Sequence, residues 1–182
     1  MGHALNEARA ALAAHEIPVG CVIVFQDKII ASARNSRYSS LSKIAHAELN
    51  AIRSADAFLY EHQGACEIFV TLEPCMMCFG AIVCSRFRRV VFGARDYLAG
   101  AAMLPNLRGH YSRFNPAAIG GVLADESLQL LKDYEAQNGP KAAWAERYFF
   151  PRSQEGIAKA AGMHEPDIDP LMSVGSRVAE SS

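Results

Sequence analysis

Apolar positions recur at helical spacing through residues 5–14 and stop at His15-Glu16-Ile17-Pro18, where a proline ends the helix. Residues 19–25 are continuously apolar and β-branched, the pattern of a strand buried on both faces. Gln26-Asp27-Lys28 is a polar, hairpin-like break, and residues 29–33 read as a second strand. A polar loop with four serines covers 35–42. Beyond it the pattern predicts a helix over 45–54, a strand over 67–72, a short apolar helix over 76–84 and a strand over 89–92. Residues 96–116 read as loop, and 119–123 as a weak strand interrupted by glycine. A helix over 124–137 has Asp125 and Glu126 in its first turn, where the helix dipole favours them. Asn138-Gly139-Pro140 breaks it, and one more helix is expected over 141–148. From Pro151 on, the periodicity fades into a mildly acidic stretch with three prolines, Pro151 included, so one domain (1–150) with a C-terminal extension (151–182) is expected. Strands alternate with helices, and the first two strands are close enough to pair directly. The predicted class is α/β, a mixed central sheet between layers of helices.

Composition narrows this picture. A chain of 182 residues with 51% apolar and 20% charged residues is a folded domain, not a disordered one. A net charge of -1 excludes a body that is basic throughout but leaves room for a local basic rim. No apolar run approaches the ~18–20 residues of a membrane span, so no membrane partner is expected. The first residues lack a basic segment followed by an apolar run, so no secretory signal is expected. Five cysteines, an odd count, point to reduced thiols in a cytoplasmic setting, where paired cysteines serve metals or catalysis.

Two short runs hold the chemistry: Ala45-His46-Ala47-Glu48 and Thr71-Leu72-Glu73-Pro74-Cys75-Met76-Met77-Cys78. Either alone is commonplace; both at predicted loop-to-helix junctions are far more specific. Cys75 and Cys78, three apart, share a helix face near a helix start, where thiolate is favoured. His46 and Glu48, two apart, would diverge in mid-helix and converge only at a helix N-terminus. Both runs therefore belong where two helix N-termini meet at the ends of adjacent strands, the crevice α/β sheets use for binding. One histidine and two thiolates are three zinc ligands, and three protein ligands with one open position is the catalytic pattern. Cys84, Cys66 and Cys21 are poorly placed as a fourth ligand and read as small buried hydrophobes. Glu48, not needed as a ligand, is free to move a proton.

His-x-Glu followed by Pro-Cys-x-x-Cys is the signature of the zinc nucleobase deaminases. The chain resembles the cytidine-deaminase-like superfamily, and within it the bacterial tRNA adenosine deaminases. The likeness runs from His3 to about Tyr134. It includes Pro18-Val19-Gly20, Asn35, the two motifs above, Phe92-Gly93-Ala94-Arg95-Asp96, Gly100-Ala101-Ala102 and Gly121-Val122-Leu123-Ala124-Asp125-Glu126. The resemblance implies the three-layer α/β/α fold of that superfamily and one Zn²⁺ per chain, bound by His46, Cys75 and Cys78. It makes Glu48 the catalytic proton shuttle. The Ala47 amide would hold an oxygen of the base or intermediate, Asn35 would hydrogen-bond base or sugar, and Asp96 would lie in the loop that contacts the substrate ribose and backbone. The implied reaction is hydrolytic deamination, adenosine to inosine at a tRNA wobble position.

Ser42-Lys43-Ile44 stands where the tRNA enzymes usually have Asp-Pro-Thr, and Asn50 is commoner in relatives acting on mononucleotides or small bases. A free base, nucleoside or mononucleotide therefore stays open as the substrate, as does a non-catalytic zinc module acting with a partner. A polymeric substrate needs a basic rim, for which Arg86, Arg88, Arg89, Arg95, Arg108 and Arg113 are candidates. A small one needs a lid, for which Tyr148-Phe149-Phe150 is a candidate. The small-residue run Gly80-Ala81-Ile82-Val83 permits close packing of a second subunit, and the resemblance implies a homodimer.

Overall fold

The computed structural model describes residues 1–102 and 109–139. Five strands form one sheet: β1 (Gly20–Phe25), β2 (Lys28–Arg34), β3 (Glu67–Leu72), β4 (Arg89–Ala94) and β5 (Ala117–Ile119). Their order is β2-β1-β3-β4-β5. β1 runs antiparallel to both β2 and β3, whereas β3, β4 and β5 are mutually parallel, so the sheet is mixed. The helices are α1 (Gly2–Ala13), α2 (Ala47–Ser54), α3 (Asp56–Glu61), α4 (Met76–Cys84) and α5 (Ala124–Asn138). A short 3-10 helix, Gly109–Phe114, precedes β5. α1 packs with α5 against the sheet, and α2 packs with α4, giving the three layers the pattern predicts.

The elements follow from their residues. β1 and β3 are buried at Cys21, Ile23, Ile68 and Val70, each with no exposed surface. Burying a branched side chain of this kind stabilises by about 1.5–3 kcal/mol. Gln26 and Asp27 both adopt positive φ, 47° and 63°, which matches the two-residue turn whose twist suits a β-hairpin. α1 places Ala4, Leu5, Ala8 and Ala11 against the sheet at three- and four-residue spacing. It sits unusually close: a Cβ on Gly20 would collide with the Ala4 carbonyl and the Ala8 backbone nitrogen.

Several expectations shift. α3 falls in 55–66, a stretch with no predicted element; only Leu59 of its six residues is buried, so it lacks a periodic apolar stripe. β5 is three residues long and ends at Ile119, the first residue of the predicted 119–123 strand. Gly120 lies against the Phe92 ring, and Gly121 and Leu123 take positive φ, so 120–123 is a turn into α5. The helix expected over 141–148 and the extension 151–182 lie outside the described residues. Among the described residues no helix is long and apolar enough to cross a membrane.

The sheet puts four chain ends on one edge. Gly20 pairs with Arg34, Cys21 with Val70, and Leu72 with Ala94. The start of β1 and the ends of β2, β3 and β4 therefore lie together, tied by the Gly20 N–H donating to Thr71 Oγ1 at 3.1 Å. Substituting Gly20 by valine should lift α1 off β1 and lower stability by roughly 3 kcal/mol. Denaturant unfolding would read this as a lower midpoint; an unchanged midpoint would show that the close seating of α1 does not matter.

Candidate active site

Two helix N-termini meet at that edge. His46 is the residue before α2 and Cys75 the residue before α4, both extended, with ψ of 154° and 170°. A residue in this position has its backbone outside the helix, so its side chain reaches across the helix end. Cys78 returns to the same side from the first turn of α4. The strands that feed α2 and α4 are not neighbours, as the spacing suggested; β1 runs between β2 and β3.

One nitrogen and two sulfurs thus lie within 4.8 Å of one another, the one such ligand group among the described residues. His46 Nδ1 is 3.7 Å from Cys75 Sγ and 3.5 Å from Cys78 Sγ. A tetrahedral ion with zinc's bond lengths holds a nitrogen and a sulfur about 3.6 Å apart, so the donor set fits zinc in type and spacing. Hydrogen bonding with Cys78 pushes the Cys75 thiol down to about 4, and the same contact pushes Cys78 up. The pair shares one proton, which a divalent cation displaces. The Cys75 sulfur also raises the pKa of His46.

Glu48, second residue of α2, is 4% exposed. Burial pushes its carboxyl up to about 6, suited to exchanging a proton near neutral pH. His46, Glu48 and Cys75 border a cavity of about 140 Å³. Ile17, Val19, Leu72 and Leu98 form its apolar walls, and Asn35, Glu73 and Asp96 its polar ones.

The other expected site residues are variously placed. Asn35 is buried in the wall, and its Oδ1 accepts the Arg37 N–H at 3.0 Å. Asp96 is also in the wall, with Oδ1 accepting the Leu98 and Ala99 N–H groups, each at 3.0 Å. Ala47 opens α2 and is fully buried, outside the cavity lining. Asn50 does not line the cavity; its amide donates to the Arg34 carbonyl at 2.9 Å and to Ser36 Oγ at 3.0 Å, bracing the loop before α2. Cys21 and Cys66 are buried as expected, whereas Cys84 is exposed at the far end of α4.

Two carboxylates escape the motif reading. Glu73 is 4% exposed, and its Oε2 accepts the Asp96 N–H at 3.2 Å and lies 3.7 Å from Arg95 Nε. The Ala101 N–H donates to the Pro74 carbonyl at 2.9 Å, and a Cβ on Gly100 would run into Glu73 and the Asp96 carbonyl. The loop after β4 is therefore fastened to the turn that presents Cys75. Glu16 is 2% exposed; burial raises its pKa, but N–H groups of Tyr38 and Ser39 outweigh this and leave it lowered. The available signal was a charged residue abutting an apolar run, Glu16 before Ile17-Pro18-Val19 and Glu73 after Val70-Thr71-Leu72.

The arginine rim divides. Arg89 opens β4 and Arg95 follows its end, so Arg86, Arg88 and Arg89 lie at the opposite edge of the sheet from the cavity. Arg88 and Arg89 pair there with Glu67, and Arg86 and Arg113 lie over the Phe114 ring. Arg95 flanks the cavity, 5.4 Å from the Tyr97 ring centroid, and Arg37 acts electrostatically on His46. Arg108 and Tyr148-Phe149-Phe150 are outside the described residues.

A family model described as the cytidine and deoxycytidylate deaminase zinc-binding region matches residues 1–94. The chain belongs to this family. It is a zinc-dependent deaminase with one zinc per chain, and both motifs fall inside the matched span. The tRNA-specific adenosine deaminase of Bacillus subtilis is 41% identical over 150 residues, 79% of this chain and 92% of that protein. A tRNA(Ile)-lysidine synthase of Deinococcus deserti is 41% identical over 137 residues, 73% of this chain, which spans only 26% of that protein's length. A solved tRNA:A34 deaminase superposes with TM-score 0.64 at 34% identity, covering 71% of this chain and 96% of its own. The guanine deaminase from Nitrosomonas europaea superposes with TM-score 0.61 at 29% identity, covering 74% and 82%.

Proposed function

We propose that this deaminase converts adenosine to inosine in tRNA, at the wobble position. The likeness to the Bacillus subtilis tRNA-specific adenosine deaminase over 92% of that protein supports this reading most directly. The cavity, at about 140 Å³, is on the scale of one base, so a nucleotide in a chain must be flipped out to enter it. Arg37 and Arg95, with the part-exposed rings of Tyr38 and Tyr97, stand within three residues of the lining residues Asn35 and Asp96 in the chain, and would offer charge and stacking surface to the flanking nucleotides.

In this reading His46, Cys75 and Cys78 hold the zinc, whose Lewis acidity makes water a nucleophile at neutral pH. A Glu48 carboxylate oxygen takes the proton from the attacking water. It returns that proton to the ring nitrogen next to the carbon under attack, then carries the second proton, from the new hydroxyl, to the amino group, which leaves as ammonia as the carbonyl forms. One C–O bond forms, one C–N bond breaks, and no redox change occurs. Asn35 and Asp96 orient the base and sugar from the cavity walls; the Ala47 amide opens α2 between His46 and Glu48, outside the lining and without exposed surface.

A free purine is the second reading, favoured by the similar superposition on the Nitrosomonas europaea guanine deaminase and by Ser42-Lys43-Ile44 before Ala45. Because Asn50 is engaged within the protein, it lends that reading no support.

Of the run Gly80-Ala81-Ile82-Val83, Ile82 and Val83 are buried within the protein; the face α4 exposes carries Met76, Met77, Gly80 and Cys84, and we assign the homodimer to it. The domain is taken as 1–150 with 151–182 as an extension. A reducing cytoplasm suits the thiolates of Cys75 and Cys78.

The deciding experiment compares inosine formation in a tRNA stem-loop with ammonia release from free adenine, guanine and cytosine, using wild type and Glu48→Gln. Wild type should act on the stem-loop, and the variant should keep zinc while losing at least about 10²–10⁴-fold in rate. Turnover of a free base alone would replace the tRNA reading, and an active variant would remove Glu48 from its role. Light scattering should give twice the chain mass; a monomer at micromolar concentration would contradict the α4 interface.

A further inference from the structure

The loop joining β2 to α2 forms one wall of the cavity through Asn35, yet its outer part stands in solvent: Tyr38 is 49% exposed and Leu41 94%. Its backbone is gripped from beneath at one place. Glu16, in the segment between α1 and β1, directs its carboxylate at the loop, and each oxygen accepts a separate backbone N–H. Tyr38 donates to Oε2 at 2.9 Å and Ser39 to Oε1 at 2.6 Å. Two donors on two oxygens require a carboxylate. An amide offers one acceptor and turns its own N–H groups toward the second donor, and aspartate is one methylene too short.

This grip closes a ring around the wall. Ile17 and Val19 follow Glu16 in the chain and line the cavity. The Asn35 N–H donates to the Val19 carbonyl at 2.9 Å, and Asn35 Oδ1 accepts the Arg37 N–H, which leads directly to Tyr38. Tyr134 on α5 adds a contact from outside, its hydroxyl donating to that of Tyr38 at 3.3 Å. The two ends of the loop are joined to each other and to α2: the Ser36 N–H donates to the Ala45 carbonyl at 3.0 Å, and the Asn50 amide donates to the Arg34 carbonyl at 2.9 Å and to Ser36 Oγ at 3.0 Å.

We propose that Glu16 is a positioning residue: by fixing Tyr38 and Ser39 it holds the outer stretch of the loop that follows Asn35, and thereby the substrate-binding wall. This rests on the reading that the cavity receives the base. Because Glu16 acts on a wall and not on the reacting atoms, its loss weakens ground-state and transition-state binding alike and appears in KM.

Glu16→Gln in the full chain should raise KM roughly tenfold, with kcat within about twofold of wild type and zinc still stoichiometric. An unchanged KM in the folded, zinc-loaded variant would overturn the proposal, as would lost zinc with a fallen kcat at constant KM. Hydrogen exchange on the wild-type chain gives a readout free of any folding defect in the variant. The Tyr38 and Ser39 amides should be protected although they sit in a surface loop, and exchange at free-peptide rates would refute the grip. A wild type that turns over neither stem-loop nor free base would defeat the functional reading, while the exchange result would still judge Glu16.

Discussion

One histidine nitrogen and two cysteine sulfurs held within 4.8 Å, beside a buried carboxyl, is the constraint on which the rest of this structure depends. Without a cation, that concentration of donors and potential negative charge is costly. The fold supplies the convergence through backbone geometry. His46 and Cys75 are both extended residues at the threshold of a helix, and α2 and α4 pack on each other so that the two thresholds face. Their N-terminal dipoles favour thiolate and carboxylate in the same small volume. The sheet contributes by ending β2, β3 and β4 where β1 begins, so every cavity wall grows from a strand end.

Around the donors, buried carboxylates hold loops in place. Glu48 faces the cavity from α2 and is the proton carrier of the proposed reaction. Glu73 holds the loop after β4 through the Asp96 N–H, and Glu16 holds the loop before α2 through Tyr38 and Ser39. Glu73 and Glu16 are buried because backbone donors satisfy them, the condition under which burial of charge is tolerable. The division suits an enzyme whose chemistry is shared across a family while its substrates vary: the donor cluster sits on helix ends, and the substrate walls sit on fastened loops.

Much of this was legible in the chain. β3 and α4 have the predicted bounds because Glu67–Leu72 and Met76–Cys84 are dense in apolar residues and end at polar or Pro-Cys junctions. The donor set was legible because residues three apart share a helix face, whereas residues two apart converge only at a helix start. What escaped has physical causes. α3 buries a single residue and so lacks a stripe to read. Glu16 and Glu73 act through backbone N–H groups brought together by tertiary folding, 22 to 23 residues away in sequence. The arginines that looked like one basic rim are split because β4 runs the length of the sheet between Arg89 and Arg95. Charge counts along a sequence do not reveal which end of a strand a residue occupies.

The central claim is that three protein donors hold the zinc and leave one position for water. X-ray absorption at the zinc edge on the purified, substrate-free enzyme tests it most directly. The claim requires two sulfurs at about 2.3 Å, one imidazole nitrogen at about 2.0–2.1 Å and one further light atom that exchanges with solvent. A shell of four protein ligands, such as a third sulfur in place of the light atom, would make the site structural and contradict it.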